Sequence, residues 1–242
     1  MPTSPDTETL RRLLDLQAED TAIKRLEDRR ASLPEAQRLS EVKESLTELE
    51  SDLEIAARQD ADASREQTRL EQEVDLLDKK IEREQGRLFS GGVSNPKELS
   101  SLQSEIEMLK RQRSALEDRL LEVMEKKEQT AATLSSLQEE HSRVSAEAAE
   151  IDEQVSLLLQ EIDAGLAGHG ERRRELAQSL PEDLLKLYDQ LRHTKGGVGA
   201  AALSGGACQG CHTQLPHREV ERLRAEGGLQ RCENCRRILV VL

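Results

Sequence analysis

The most regular pattern along the chain is an alternation of three- and four-residue steps between apolar positions, which runs without a slip from Leu99 to Ile162. Fifteen of its nineteen positions are apolar. A seven-residue period held over this length predicts one long helix with a narrow apolar seam, as in a left-handed coiled coil. The seam positions are Leu99, Leu102, Ile106, Leu109, Arg113, Leu116, Leu120, Val123, Lys127, Thr130, Leu134, Leu137, His141, Val144, Ala148, Ile151, Val155, Leu158 and Ile162.

The same alternation appears earlier in the chain, between Leu39 and Leu88, although it is incomplete in the middle. A proline inside a helix costs about 3 kcal/mol, so Pro34 predicts a kink or break over residues 32–34. The region from Asp6 to Leu88 is therefore predicted to be helical apart from that break. Its best-patterned positions are Leu39, Val42, Leu46, Leu49, Leu53, Leu70, Val74, Leu77, Ile81 and Leu88.

A short segment between the two patterned regions predicts a sharp reversal of the chain. It contains two adjacent glycines, which favour a turn. Asn95 and Pro96 suit the N-cap and the first position of the helix that follows. We expect this turn to form the tip of a hairpin, through the residues Ser90, Gly91, Gly92, Val93, Asn95, Pro96 and Lys97.

The two seams come together in an antiparallel hairpin when the numbers of paired residues sum to 186 or 187. This register places Leu77 beside Leu109, and it also aligns two polar exceptions, Asp60 and Lys127. A polar pair in a seam fixes the register at a cost in stability. The sequence therefore predicts a mainly α fold built on a long antiparallel coiled-coil helical hairpin.

The hairpin is predicted to occupy residues 1–178, and residues 179–242 are predicted to form a short helix, a linker and a small α+β domain. Ser179 is a suitable N-cap for the short helix. A second small helix is predicted over residues 216–225. Short strands are predicted near residues 198–203, 229–231 and 238–241.

The four cysteines of the chain lie in this small domain as two C-x2-C pairs separated by twenty residues. This spacing is typical of a four-thiolate zinc ribbon. Four thiolates complete a tetrahedron, so we expect one structural Zn²⁺. A rubredoxin-like iron site uses the same ligand geometry, and redox-active thiols are a third reading. The predicted ligands are Cys208, Cys211, Cys232 and Cys235.

Composition and charge limit what the long helices can bind. Charged residues make up 34% of the chain and aromatic residues 1%, which is typical of long helices with a narrow seam. The net charge is −13, but residues 196–242 carry six arginines and four glutamates, so the remainder carries −15. An acidic helical region is unsuited to binding phosphates along its length. The arginines that could contact nucleic acid or a partner at the ribbon are Arg218, Arg222, Arg224, Arg231, Arg236 and Arg237.

The sequence favours two functions, and neither is enzymatic. No Walker loop or dinucleotide fingerprint is present, and the carboxylates have no predicted pocket, so we expect no catalysis and no small-molecule substrate. The first hypothesis is a zinc-binding adaptor that binds an unidentified protein through the hairpin and the ribbon. The second is a transcriptional or post-transcriptional regulator whose ribbon binds nucleic acid. The chain has no membrane-length apolar segment and no signal-peptide pattern, so a cytoplasmic location is expected.

Three stretches resemble a bacterial family with an N-terminal coiled-coil hairpin and a C-terminal four-cysteine zinc ribbon, long labelled a domain of unknown function. They are the turn Phe89–Leu99, the segment Leu180–Tyr188, and the two cysteine pairs with their flanks up to Leu239. The resemblance spans nearly the whole chain. It implies zinc binding and an adaptor role with nucleic-acid or regulatory-protein partners, and it does not imply an enzyme.

The chain departs from this family at two positions in the second cysteine loop. Arg236 stands where the family usually has glycine, which is expected to alter the turn of that loop. Val240 stands where an aromatic residue is common, which is expected to remove a contact surface.

Overall fold

The computed structural model of the protein describes residues 5–91 and 94–241, so the predicted tip residues Gly92 and Val93 lie outside the described residues. Within the described part, long helices dominate and short strands are confined to the C-terminal region, which confirms the predicted fold class. The helices are α1 (Thr7–Ala31), α2 (Pro34–Phe89), α3 (Pro96–Gln178), α4 (Glu182–Thr194) and α5 (His217–Glu226). The strands are β1 (Ala200–Ser204), β2 (Ala207–Cys208), β3 (Gln230–Arg231) and β4 (Ile238–Val241).

The described residues form two compact units. One unit combines the residues up to Gln37 with those from Asp152 onwards, and the other is Arg38–Ile151. The predicted division between residues 178 and 179 stays a prediction, although α3 does end at Gln178.

The unit Arg38–Ile151 is an antiparallel pair formed by parts of α2 and α3. Every position of the predicted α3 seam is buried or half-buried, including the polar ones. On α2 the three–four alternation is also complete, because five residues that the apolar pattern did not include occupy the missing seam positions and are buried or half-buried. These residues are Ala56, Asp60, Ala63, Gln67 and Glu84.

Ion pairs between the two helices bracket the predicted register. Glu66 Oε1 lies 3.9 Å from Arg119 Nη2, and the residue numbers of this pair sum to 185. On the opposite edge, Asp78 Oδ1 lies 3.0 Å from Arg113 Nη1, and this sum is 191. The residue numbers of the predicted seam pairs sum to 186 or 187, which falls between these two values. This agrees with a seam that lies between the two charged edges of the hairpin.

The polar layer near the middle of the seam differs in detail from the prediction. Asp60 was expected to meet Lys127, but its Oδ1 accepts a hydrogen bond of 3.3 Å from the Thr130 hydroxyl, one turn further along α3. That hydroxyl also lies 3.0 Å from the carbonyl oxygen of Lys127. The short threonine side chain reaches Asp60 from within the seam, where the long lysine side chain can extend towards solvent.

Side-chain hydrogen bonds cap the N-terminal ends of α1 and α3. Asp6 caps α1 by accepting a 2.8 Å hydrogen bond from the Thr9 backbone N–H. Asn95 caps α3 in the same way, through the Lys97 N–H at 3.0 Å. The expected cap at Ser179 is wrong: α4 begins at Glu182 after Pro181, and the Ser179 hydroxyl donates to the carbonyl of Leu176 at the end of α3.

The C-terminal strands form one small sheet in the order β2-β1-β4-β3. The central strands β1 and β4 are parallel, while β2 and β3 pair antiparallel at the two edges. A parallel pair needs a long crossover, and this one contains β2, α5 and β3. Gly227 ends α5 with a φ of 57°, a conformation that glycine adopts without steric cost.

One face of this sheet contributes to a core around Tyr188, which is fully buried on α4. Leu13 and Leu16 from α1 and Ile238 and Val240 from β4 belong to the same cluster. Val240 is therefore a buried packing residue. The expectation that valine here removes a contact surface is wrong, because β4 points this side chain inwards.

Candidate metal centre

Each cysteine pair lies in a tight loop, and the two loops have the same backbone geometry. In the first, the backbone N–H of His212 donates to the carbonyl of Cys208 at 2.7 Å. In the second, the N–H of Arg236 donates to the carbonyl of Cys232 at 2.8 Å. Each loop thereby turns its two thiols towards the same side, as a C-x2-C metal knuckle requires.

The two loops bring all four sulfur atoms together. The Sγ atoms of Cys208 and Cys235 are 3.9 Å apart, as are those of Cys211 and Cys232, and all four lie within 4.8 Å of one another. Sulfurs bound about 2.3 Å from one central ion in a tetrahedron are separated by about 3.8 Å. The four cysteines form no disulfide, so they fit a metal ion bound by four thiolates.

The surroundings of the thiols differ between the buried and the half-buried cysteines. Burial raises the pKa of the Cys208 thiol to about 12, and it also raises that of Cys232. Hydrogen bonds from the hydroxyl and backbone N–H of Thr213 lower the pKa of the Cys211 thiol to about 6. A divalent cation must therefore displace protons from the buried thiols when it binds, so binding releases protons.

Both loops place a residue with a side chain in the left-handed backbone region, directly after the second cysteine. His212 has a φ of 56° and Arg236 a φ of 64°. Glycine adopts this conformation freely, whereas a side chain makes it costly. The departure from glycine at Arg236 thus leaves the turn in place but adds strain to it.

Arg237, predicted as a contact for nucleic acid or a partner, is instead a structural residue of the ribbon. Its half-buried guanidinium donates to the backbone carbonyls of Lys195 at 2.7 Å, Val198 at 2.8 Å and Gly210 at 3.0 Å. It therefore ties the second cysteine loop to the first loop and to the chain that enters β1. Sequence reasoning missed this role because residue type alone does not distinguish Arg237 from Arg236.

The remaining predicted arginines fall into two groups. Arg222 is paired within the domain, with Glu219, Glu226 and Glu233 as its carboxylate partners. The other four are exposed, and among the described residues none of them forms an ion pair or a side-chain hydrogen bond. They are Arg218 and Arg224 on α5, Arg231 on β3, and Arg236 in the second loop.

A buried charge cluster that sequence reasoning missed lies beside the sheet. The Asp20 side chain is 1% exposed and receives 2.8 Å hydrogen bonds from both Arg173 and Arg192. The Tyr188 hydroxyl donates to its second oxygen at 2.7 Å. Arg173 lies in a run of three arginines near the end of α3, and its side chain is turned into the cluster.

Gln17, one turn before Asp20, fastens α1 to the ribbon. Its side-chain oxygen accepts the backbone N–H of Gly199 at 2.7 Å, and its side-chain nitrogen donates to the carbonyl of Gly197 at 3.1 Å. These bonds satisfy buried backbone groups where β1 begins. The residues that shape the metal centre therefore include positions far from it in sequence.

The hairpin turn is exposed where the structure describes it. Phe89, the only phenylalanine in the chain, is 82% exposed at the end of α2. Leu88, Ile106 and Lys110 line a groove beside it. The predicted tip residues Ser90, Gly91, Asn95, Pro96 and Lys97 are exposed as well.

Within residues 5–91 and 94–241, no helix combines the length and the apolar content that crossing a membrane requires.

Comparison with known proteins agrees with this architecture. An uncharacterized protein of Mycobacterium tuberculosis, MT2288, is 30% identical over 237 residues, which cover 96% of this chain and 95% of that protein. A solved structure from Mycobacterium smegmatis is 26% identical with a TM-score of 0.81, covering 99% of this chain and 100% of that one. CT398 from Chlamydia trachomatis has a similar fold, with a TM-score of 0.66 at 20% identity over 97% of this chain and 98% of that one.

Two family profiles divide the chain between them. The CT398-like coiled coil hairpin domain matches residues 16–196, and the C4-type zinc ribbon domain matches residues 207–239. The hairpin profile alone spans most of the sequence. The chain therefore belongs to the family of CT398-like coiled-coil hairpin proteins and carries a C4-type zinc ribbon at its C-terminal end.

Proposed function

We propose that this protein is a non-enzymatic adaptor, in which one structural Zn²⁺ holds the ribbon together and the hairpin and ribbon contact a protein partner. The observation that carries the proposal is the closed set of four sulfur atoms, all within 4.8 Å of one another. Four thiolates occupy all four coordination positions of a tetrahedral metal ion and leave none for a substrate. When bound, the zinc supplies a cross-link between the two cysteine loops.

The chain's own residues prepare this cross-link. Arg237, directly after the second loop, binds the first loop through the Gly210 carbonyl. Asn234 donates to the Thr213 hydroxyl at 2.8 Å, and its nitrogen lies 3.6 Å from the Cys211 sulfur. These contacts cross between the loops, so they orient the thiols, as hydrogen bonds around the ligands do in metal sites.

Metal analysis of the purified protein tests the zinc. We expect one zinc per chain, and we expect Cys208→Ser or Cys232→Ser to abolish it, since each removes one of four ligands. A chain that carries iron in place of zinc, or a Cys208→Ser variant that retains full zinc, would contradict this part of the proposal.

The exposed side chain of Phe89 supports a protein partner at the hairpin turn. Aromatic side chains are enriched in protein interfaces, and this one borders a groove that Leu88 and Ile106 help to line. A cross-linking pull-down from the native cell, with and without nuclease, tests this role. We expect Phe89→Asp to lose the partner and Ile55→Asp to keep it, because Ile55 is 50% exposed in the middle of α2. If the Phe89→Asp variant retained every partner, the hairpin turn would not be the contact site for the partner.

Nucleic-acid binding by the ribbon is the second candidate, and the four unpaired arginines favour it. Their charges are not neutralised by carboxylates within the described residues, so they could contact phosphates. Binding is then expected to weaken steeply with salt, and each of Arg218, Arg224, Arg231 and Arg236 changed to Ala should reduce the salt slope by roughly 1. Arg222→Ala is the matched control, because Arg222 is already paired with glutamates. Salt-insensitive binding, or an equal loss in the control, would exclude this role.

A cytoplasmic location is part of the proposal. Free thiols persist in reducing compartments, and the four cysteines of this chain are unbridged.

A further inference from the structure

The hairpin carries an apolar groove along one side, next to its own seam. Leu76 on α2 is 65% exposed, and Leu77, Ala115 and Leu116 line the groove with it. The groove has a volume of about 490 Å³. A leucine this exposed beside further apolar side chains is a candidate contact surface.

Two ion pairs between α2 and α3 bound the groove, one on each side along the hairpin. Towards the turn, Lys80 Nζ lies 3.6 Å from Glu105 Oε1. In the other direction, Glu66 Oε1 lies 3.9 Å from Arg119 Nη2. The two pairs are two heptads apart, which is about 21 Å along a helix. Each pair places one acid opposite one base across the helices and forms a rung, and Glu66 is also bound by Arg69 of α2. The two rungs carry opposite polarity across the helices.

The charge pattern of these rungs is complementary to itself. Consider a second copy related to the first by a two-fold axis parallel to the hairpin. In this arrangement α2 of each copy faces α3 of the other copy at the same height along the hairpin. Each rung then meets the same rung of the copy, so Glu66 faces Arg119 of the second copy, and Lys80 faces its Glu105. Between the rungs, the exposed Leu76 faces the α3 side of the copy's groove. Such a two-fold contact is isologous and closes after two chains.

We propose that this groove is a self-association surface, on which a second copy of this chain packs with its hairpin parallel to the first. An antiparallel copy also pairs acids with bases at the rungs. At the centre, however, it places Glu73, which Arg69 binds at 2.7 Å within each chain, against Glu73 of the copy. In the parallel copy Glu73 faces Gln112, which lies at the same height on α3. The parallel arrangement is therefore the one that the charges of the groove favour.

The first test measures the mass of the full-length, zinc-loaded chain by sedimentation over a concentration series. We expect a concentration-dependent dimer, and we expect Leu76→Glu to raise the dissociation constant at least about tenfold by placing a carboxylate in the apolar contact. Leu121→Glu is the control, since Leu121 is 59% exposed and lies about 200° around α3 from Arg119. A wild-type chain that stays monomeric, or a dimer that Leu76→Glu leaves intact, overturns the proposal.

The second test distinguishes the two arrangements by exchanging the charges of one rung. Lys80→Glu alone places two acids together within the rung and across either dimer, so it should weaken self-association. Adding Glu105→Lys restores the rung within each hairpin. In the parallel dimer the exchanged rung still meets itself and affinity should return, whereas in the antiparallel dimer it meets Glu66 and Arg119 with like charges. Loss of the dimer in the double variant, with helicity unchanged by circular dichroism, would overturn the parallel arrangement.

Discussion

Replacing Arg236 with glycine is expected to stabilise the ribbon. Arg236 follows the second cysteine pair with a φ of 64°, and its guanidinium has no partner within residues 5–91 and 94–241. The substitution therefore removes backbone strain without removing a contact. Its charge is also exposed, so the loss of charge by itself should change the free energy of unfolding little.

The expected gain follows from two opposing backbone effects. The left-handed conformation costs a residue that has a Cβ roughly 1–2 kcal/mol. The greater freedom of glycine in the unfolded chain opposes folding by roughly 0.5–1 kcal/mol. The net stabilisation is therefore about 1 kcal/mol, or a rise in melting temperature of about 2–4 °C for a chain of this size. His212→Gly should behave alike, because His212 occupies the same position in the first loop with a φ of 56°.

Urea unfolding of the zinc-loaded protein, followed by tyrosine fluorescence, measures this gain. Tyr188 is the only tyrosine in a chain without tryptophan, and it is buried in the cluster that contains the strand after the second loop. Arg236→Ala is the control, since it removes the charge but keeps the Cβ. Stabilisation by alanine equal to that by glycine would attribute the effect to charge and refute the backbone argument. So would an Arg236→Gly variant that is no more stable than the parent.

Three further predictions concern the unit that contains the ribbon. Asp20→Asn removes the buried carboxylate that Arg173 and Arg192 share and leaves them only the partly exposed Asp189, so urea unfolding should show a loss of about 3 kcal/mol; a change below about 0.5 kcal/mol would contradict the network. Gly199→Ala should destabilise the fold by roughly 2 kcal/mol, because an added Cβ would lie 2.6 Å from the Tyr188 carbonyl oxygen. Gly170→Ala should instead stabilise it by about 1 kcal/mol, because a Cβ added at Gly170 would meet no atom within 4 Å and alanine favours the helix. Zinc removal by a chelator should expose the ribbon to protease while the helical circular dichroism signal persists, because the unit Arg38–Ile151 contains no cysteine. A collapse of that signal would show that the helices of this unit depend on the metal.

The hairpin could be predicted from the sequence because its information is repeated and local. A three–four spacing over nineteen positions defines a helix face, and Pro34 and Asn95 mark where helices begin. The α2 seam looked incomplete because Asp60 and Gln67 occupy seam positions with polar side chains. A pattern of apolar residues alone does not detect such positions, although the register deduced from the complete parts passes through them.

The roles of individual residues around the ribbon were less accessible. Arg236 and Arg237 are adjacent and chemically identical, yet one is exposed and the other binds three backbone carbonyls. Ser179 is a residue type that favours an N-cap, but α3 extends to Gln178, and the Ser179 hydroxyl binds the Leu176 carbonyl at the end of that helix. In each case the choice depends on which backbone groups lie nearby, and short-range sequence does not contain that information.

The helices of the hairpin, their register and the two cysteine loops follow from residue spacing, because each rests on a pattern within one segment or between two matched segments. The burial of Asp20 and Gln17 depends instead on three-dimensional packing, which places them against α4 and the chain that enters β1. Buried polar groups need partners in three dimensions, and those partners lie more than 150 residues away. No periodicity connects positions so far apart, so folding alone brings them together.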